Sequence, residues 1–343
     1  MASTPDQLSG PDGQSSARVV SGDAGGESTA TVVVAFVANA VVAVAKTGAA
    51  MITGSASMLA EAVHSWADTG NEVFLLIADR RSRRPAGHDH PLGHGREAYV
   101  WSMFAAIGLF AVGAGVSVVH GIQELVHPEP AENLGIAYAV LAIAFVLEGV
   151  SFVKAVRQAR GEARRSERDL VEHVLETSDP TLRAVVAEDA AALVGIVIAF
   201  VGVLAHQITG SAVWDAVGSI AIGVLLAVVS VVLVDRNRRF LVGEVGRPEL
   251  RDAVLRHLLE LDEVERVTYL RIEYVGPRSI YLVVSVDLPG EDRETAVARR
   301  LDALERRAIG QPGVAGAVFT VSTPEEPSLH PLGRPEVETA PAR

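Results

Sequence analysis

Residues 61–72 place Glu61, His64, Asp68 and Glu72 inside an otherwise apolar run. Their spacings of three, four and four put all of them on one stripe if the segment is helical. His64 and Asp68, at i and i+4, can aim an imidazole and a carboxylate at a common atom, a donor pair suited to tetrahedral zinc. Taken alone, the stripe is open to a second reading, a hydrogen-bonded polar face that stabilises helix contacts. A second apolar run carries Glu188 and Asp189 side by side. Two such carboxylates repel each other unless a cation or a proton sits beside them. Neighbours on a helix lie about 100° apart, so one is expected to ligate and the other to meet an adjacent helix. Asp189 is the first choice of ligand, with Glu188 close behind. A polar loop holds His88, Asp89, His90 and His94. It reads either as a metal or ion-collecting site or as a solvated turn shaped by its Pro and Gly. Asn39, Lys46, Glu148, Lys154, Asp215 and Ser219 also fall within apolar runs. They line a path or serve helix packing, with Lys154 and Asp215 near enough to the boundaries to snorkel.

The elements that must position these groups are read as six spans, approximately 30–50, 55–78, 98–122, 134–156, 182–206 and 213–234, each near the ~20 apolar residues a membrane helix needs. The chain has 343 residues and a mean hydropathy of +0.29, with its charge gathered into clusters between the runs. A soluble bundle of buried helices does not use six near-uncharged runs of that length. Arg80, Arg81, Arg83 and Arg84 follow the second run, Arg157, Arg160, Arg164, Arg165 and Arg168 the fourth, and Arg236, Arg238 and Arg239 the sixth. The intervening connections 51–54, 121–133 and 207–212 hold no Lys or Arg. By the positive-inside rule both termini are expected in the cytoplasm, with the protein a multi-pass component of the inner membrane.

Residues 1–27 lack an apolar core and are expected to be a disordered cytoplasmic tail rather than a signal or transit peptide. Residues 28–240 form the transport domain. Residues 241–323 read as an α-β-β-α-β cytoplasmic domain of ferredoxin-like type, its helices packed on one face of a three-stranded sheet. Ile280, Leu282, Val284 and Val286 alternate as in a strand, and Pro277 marks a turn. With a single His, His257, this domain offers no metal site of its own and suits docking, regulation or dimerisation. Residues 324–343 are expected to be a second disordered tail. The absence of Cys excludes disulfides, Cys₄ zinc sites and iron–sulfur clusters. A net charge of −12 argues against a nucleic-acid partner.

Residues 54–68, from Gly54 through His64 to Asp68, resemble the second span of the cation diffusion facilitator family. Residues 84–97, with His90-Pro91-Leu92-Gly93-His94-Gly95, are similar to that family's following loop, and Asp215-Ala216-Val217-Gly218-Ser219 to the start of its sixth span. The resemblance covers about residues 30–323, and Glu188-Asp189 with Glu148–Phe152 looks like the branch related to the mitochondrial zinc transporters of animals. It implies a homodimer with one intramembrane metal site per protomer, built from His64, Asp68 and a His/Asp pair in the fifth span. Asp189 matches the Asp of that pair, while the His position falls on Val185, which cannot ligate. The family's loop site maps onto His90 and His94, but its Asp falls on Gly87, leaving Asp89 or His88 to substitute. A charge contact near the dimer interface maps to Arg96 and Glu244.

The expected function is therefore export of a divalent transition metal from the cytoplasm by proton-coupled antiport with alternating access. Ligands must be deprotonated to hold the ion, so metal binding and proton binding compete. A His ligand favours Zn²⁺, Co²⁺ or Ni²⁺ over all-oxygen ions such as Mn²⁺, with Fe²⁺ also compatible. No organic cofactor is expected. No Ser/His or double-Asp arrangement supports an intramembrane hydrolase, so the chain does not read as an enzyme. The rivals are a proton-coupled organic-cation or multidrug antiporter, which would want an aromatic cavity, and a non-transporting membrane sensor or docking protein.

Overall fold

A computed structural model describes residues 24–128, 132–165, 169–290 and 292–332. Helices α1 (Ala24–Thr53) and α2 (Ala56–Ser82) come first. Gly54, at φ 66°, turns the chain between them, and Ser55 caps α2 by accepting from the Met58 amide. Next come α3 (Glu97–Gly108) and α4 (Gly115–Val126), which a π-helical turn at Leu109–Ala114 joins into one run. Helix α5 (Leu134–Arg165) and the short α6 (Leu170–Glu176) precede α7 (Pro180–Thr209) and α8 (Val213–Val242). Asp179 caps α7 with Pro180 in its first turn, and Gly210 ends it in the left-handed region at φ 71°.

Among the described residues, four helical runs are long and apolar enough to cross a membrane: Glu97–Val126, Leu134–Arg164, Pro180–Thr209 and Val213–Val242. Helix α2 is as long as a span, with 27 residues, but its stripe of carboxylates lowers its hydropathy. In α1 the apolar stretch Asn39–Thr53 is shorter. Small residues let these helices close on one another, and the membrane-domain core mixes Ala49, Ala60, Ala144, Ala191 and Ala199 with Met58, Leu141, Ile222 and Leu226.

The C-terminal region contains α9 (Pro248–Leu259), β1 (Arg266–Gly276), β2 (Ser279–Asp287), α10 (Glu294–Ile309) and β3 (Val314–Val321). Its small mixed sheet has the order β1-β2-β3, with β2 antiparallel to β1 and parallel to β3. Leu282, Val284 and Val286 point inward from β2, as their alternation predicts, against Leu255 and Leu258 of α9 and Leu304 of α10.

The chain stays ordered beyond 323, which corrects the expectation of a disordered tail from 324. The Leu329 amide donates to Val267 O at 2.7 Å, the Leu332 amide to Asp252 at 3.0 Å, and Arg266 holds Glu326 O at 2.7 Å. Backbone donors and the half-buried Arg266 anchor this strap despite its Pro-rich composition. The tails expected at 1–23 and 333–343 lie outside the described residues.

The sheet domain sits against the helix ends that carry the arginine-rich connections. Arg96 pairs with Glu273 at 2.5 Å. Glu244 meets β1 through its backbone, accepting from the Tyr274 amide at 3.1 Å. Gly95 and Gly276 approach so closely that a β-carbon on either would strike the other's backbone.

Candidate metal site in the membrane domain

On the α2 stripe Glu61 and His64 are buried and Asp68 and Glu72 half-buried. Lys46 of α1 donates from Nζ to Glu61 Oε2 at 2.9 Å, with both side chains 0% exposed. His64 Nε2 lies 3.2 Å from Asp68 Oδ2, near enough for an ion pair but without hydrogen-bond geometry. Both His64 ring nitrogens, Glu61 Oε1 and Asp68 Oδ1 are buried with no hydrogen-bond partner. Asn39 donates to Glu72 Oε1 at 2.5 Å. Gly195 makes this packing feasible, because a β-carbon there would run into the Glu61 carboxylate beside His64.

Helix α7 brings Glu188 and Asp189 to the same region and turns them to different neighbours, as expected of adjacent helical positions. Glu188 is buried and accepts from Asn71 Nδ2 of α2. Asp189 Oδ2 accepts from Ser151 Oγ of α5 at 2.8 Å. Glu148, one turn before Ser151, lies within electrostatic reach of Lys46, Asp68, His64 and Glu61, and Asp189 within reach of Glu148 and Asp68. Helices α1, α2, α5 and α7 thus surround one cluster of carboxylates, a histidine and a buried lysine. Among the described residues, no three His, Asp or Glu side chains converge tightly enough to hold a metal as they stand. The α7 carboxylates are engaged by Asn71 and Ser151 rather than turned onto His64 and Asp68.

This intramembrane cluster lies within the part of the chain, residues 32–242, that matches the cation efflux transmembrane domain. The chain belongs to the cation efflux family. Metal tolerance protein C4 of Arabidopsis thaliana is 32% identical over 246 residues, covering 72% of this chain and 54% of that protein. The proton-coupled zinc antiporter SLC30A9, mitochondrial, of Homo sapiens is 35% identical over 236 residues, covering 69% of this chain and 39% of its own length. The chain therefore spans only about half or less of these two curated relatives. Magnetosome protein MamM of Magnetospirillum gryphiswaldense is 26% identical over 260 residues, covering 71% of this chain and 72% of that one.

In this cation efflux protein the polar loop separates into two halves. The His90 and His94 rings meet at a tilt of 55° with centroids 4.1 Å apart, and His94 Nδ1 lies 3.6 Å from Glu97 Oε1. Asp89 turns away, paired at 3.4 Å with His88 in full solvent exposure. The backbone exchange between Gly87 and His90 at 3.0 and 3.1 Å builds the turn that divides them.

Asn71 and Ser151 were missed as individual contributors. Each stands three residues after a carboxylate already singled out, Asp68 and Glu148, and that helical spacing was the available signal. Asp215 does not snorkel. It is 2% exposed and accepts from Ser55 Oγ at 3.0 Å, the Ala56 amide at 2.6 Å and the Ser57 amide at 3.3 Å. Its carboxylate thus closes the N-terminus of α2, where orphan amides favour an anion.

Proposed function

We propose that the chain is a carrier of divalent transition metal ions, with zinc the ion its donors favour, and that it exchanges the ion for protons across a membrane. The observation that carries this reading is the His64–Asp68 pair, with His64 Nδ1 and Asp68 Oδ1 buried and without partners, in the same cluster as the carboxylates of α7. Buried polar atoms that lack partners cost about 1–3 kcal/mol each, so a site that retains several is one that a ligand completes. An imidazole with carboxylates suits zinc. The printed name of the human relative, a proton-coupled zinc antiporter, points the same way.

The proposed carrier has six spans: α1, α2, the α3–α4 run, α5, α7 and α8. The shortest, α2, has 27 residues, about 40 Å of helix at ~1.5 Å per residue against a hydrocarbon core of about 30 Å. The arginines ending the second, fourth and sixth spans orient both termini to the cytoplasm, in the inner membrane. Residues 28–240 form the transport domain and 241–323 a ferredoxin-like module that pairs two protomers. In the cycle, a cytoplasmic ion engages deprotonated His64, Asp68 and Asp189. The helices rock to expose the site on the other side, protons displace the ion, and the protonated carrier returns.

Zinc flux into proteoliposomes under an imposed pH gradient tests this, comparing wild type with Asp68→Ala and Asp189→Ala. Gradient-dependent flux lost in both variants is the expected result. Wild-type silence toward zinc, cobalt, manganese and iron, or wild-type flux in Asp68→Ala, overturns the reading.

A further inference from the structure

Helices α2 and α7 furnish the site unequally. On α2 a His and an Asp stand four residues apart on one face. The same spacing on α7 pairs Asp189 with Val185, whose side chain has no lone pair. What faces that gap is α5. Its Ser151 holds Asp189 Oδ2 at 2.8 Å, and its Glu148 is an electrostatic neighbour of Asp68 and His64 and of Asp189. Ser151 and Val185 also line one open groove of about 300 Å³, which continues past Lys154, Gln158 and Thr181 to Asp179 at the start of α7. The polar wall beside Val185 therefore belongs to α5.

We propose that α5 supplies what α7 lacks: Glu148 is a further ligand of the transported ion, and Ser151 is a positioning residue that holds Asp189 by Oδ2 and leaves its other oxygen to the ion. This rests on the metal-carrier reading above. The acidic groups by themselves would not define a site. They are given a target by His64, 1% exposed, whose Nδ1 has no partner and whose Nε2 has only Asp68 beside it, and by the buried Glu61 Oε1, which has no hydrogen-bond partner. Neutralising Lys46 is not a sufficient role for Glu148, because Glu61 already pairs with that ammonium at 2.9 Å. The Ser151–Asp189 bond also ties α5 to α7, so the two can close on α2 together.

The test is zinc affinity of the purified protein, measured in detergent against a competing chelator, with flux in proteoliposomes beside it. Glu148→Gln and Ser151→Ala are made alone and in a Val185→His background. That substitution gives α7 the His/Asp spacing of α2. Each single variant is expected to weaken zinc binding about 10-fold or more, as loss of a ligand or of the group orienting one does. Val185→His is expected to restore binding in both, and Ser151→Thr, which keeps the hydroxyl, to bind like wild type. Wild-type affinity in Glu148→Gln and Ser151→Ala overturns the proposal. So does a loss that Val185→His leaves unrelieved, since an added ligand does not repair a folding defect. Failure of the underlying reading looks different, because then wild type itself binds and carries no divalent ion. If wild type binds zinc, Asp68→Ala does not, and the α5 variants are silent, only the role of α5 falls.

Discussion

Two stretches of α2, its first turn and the turn around His64, are equally dry and oppositely satisfied. At the N-terminus, Asp215 takes hydrogen bonds from Ser55 Oγ and the amides of Ala56 and Ser57, while Ser57 Oγ donates to Asp215 O at 2.8 Å. Further along, His64 has no hydrogen-bond partner on either ring nitrogen, and Glu61 and Asp68 each leave one buried oxygen alone. Asp215, His64 and Glu61 are 2%, 1% and 0% exposed, so solvent does not account for the difference. One carboxylate closes the first turn of α2, while the turn around His64 stays open, and the proposed site rests on that contrast.

The largest effect should come from the boundary between these regions, where Lys46 satisfies half of Glu61. Lys46→Met strands a fully buried carboxylate and is expected to cost about 3–5 kcal/mol. Lys46→Met with Glu61→Leu removes both charges and should recover most of that loss. Thermal denaturation in detergent reads both. An unchanged midpoint in Lys46→Met would mean that water reaches Glu61, and the contrast between the two stretches would lose its basis.

Asp215→Ala should follow. It leaves one hydroxyl and two amides at the start of α2 without their acceptor, at a cost of about 2–3 kcal/mol by the price of buried unsatisfied groups. Asp68→Ala, in the open region, should leave the denaturation midpoint near wild type while abolishing metal flux. The comparison sharpens if stability falls only in the first variant and flux in the second. It breaks if Asp68→Ala proves the more destabilising of the two.

The open region was legible in the sequence because formal charges stand out against apolar runs: Glu61, His64, Asp68, Glu188 and Asp189 could all be found that way. The helices and the alternating strand β2 were legible for the same reason, as departures in periodicity. The closed region was not. Asp215 lies near the end of a run, where snorkelling is the ordinary expectation, and only the fold brings the first turn of α2 to it. Asn71 and Ser151 are neutral, so they leave no mark on hydropathy, and their importance lies wholly in which carboxylates they meet. Arg96 meets Glu273 of β1, and only the fold brings these two residues together. The strap 324–332 is Pro- and Glu-rich in composition but is held through backbone amides, which composition does not report.

A third region, the junction with the sheet domain, is satisfied and wet, and there the smallest effect is expected. Arg278, at the tip of the β1–β2 hairpin, pairs with Glu162 at 2.9 Å and Asp179 at 3.4 Å, and its amide donates to Ser178 Oγ at 3.1 Å. Its side chain is 61% exposed, so the two ion pairs together are worth no more than about 1 kcal/mol. Its backbone is also left-handed, at φ 55°, a conformation glycine adopts without strain. Arg278→Ala loses the pairs and keeps the strain, and should lower stability by about 1 kcal/mol or less. Arg278→Gly loses the same pairs but relieves the strain, and should lie closer to wild type, with denaturation midpoints of the two variants making the check. If Arg278→Ala instead rivals Asp215→Ala, the hairpin is held as firmly as the membrane anchor, and solvent exposure does not rank the polar contacts of this protein.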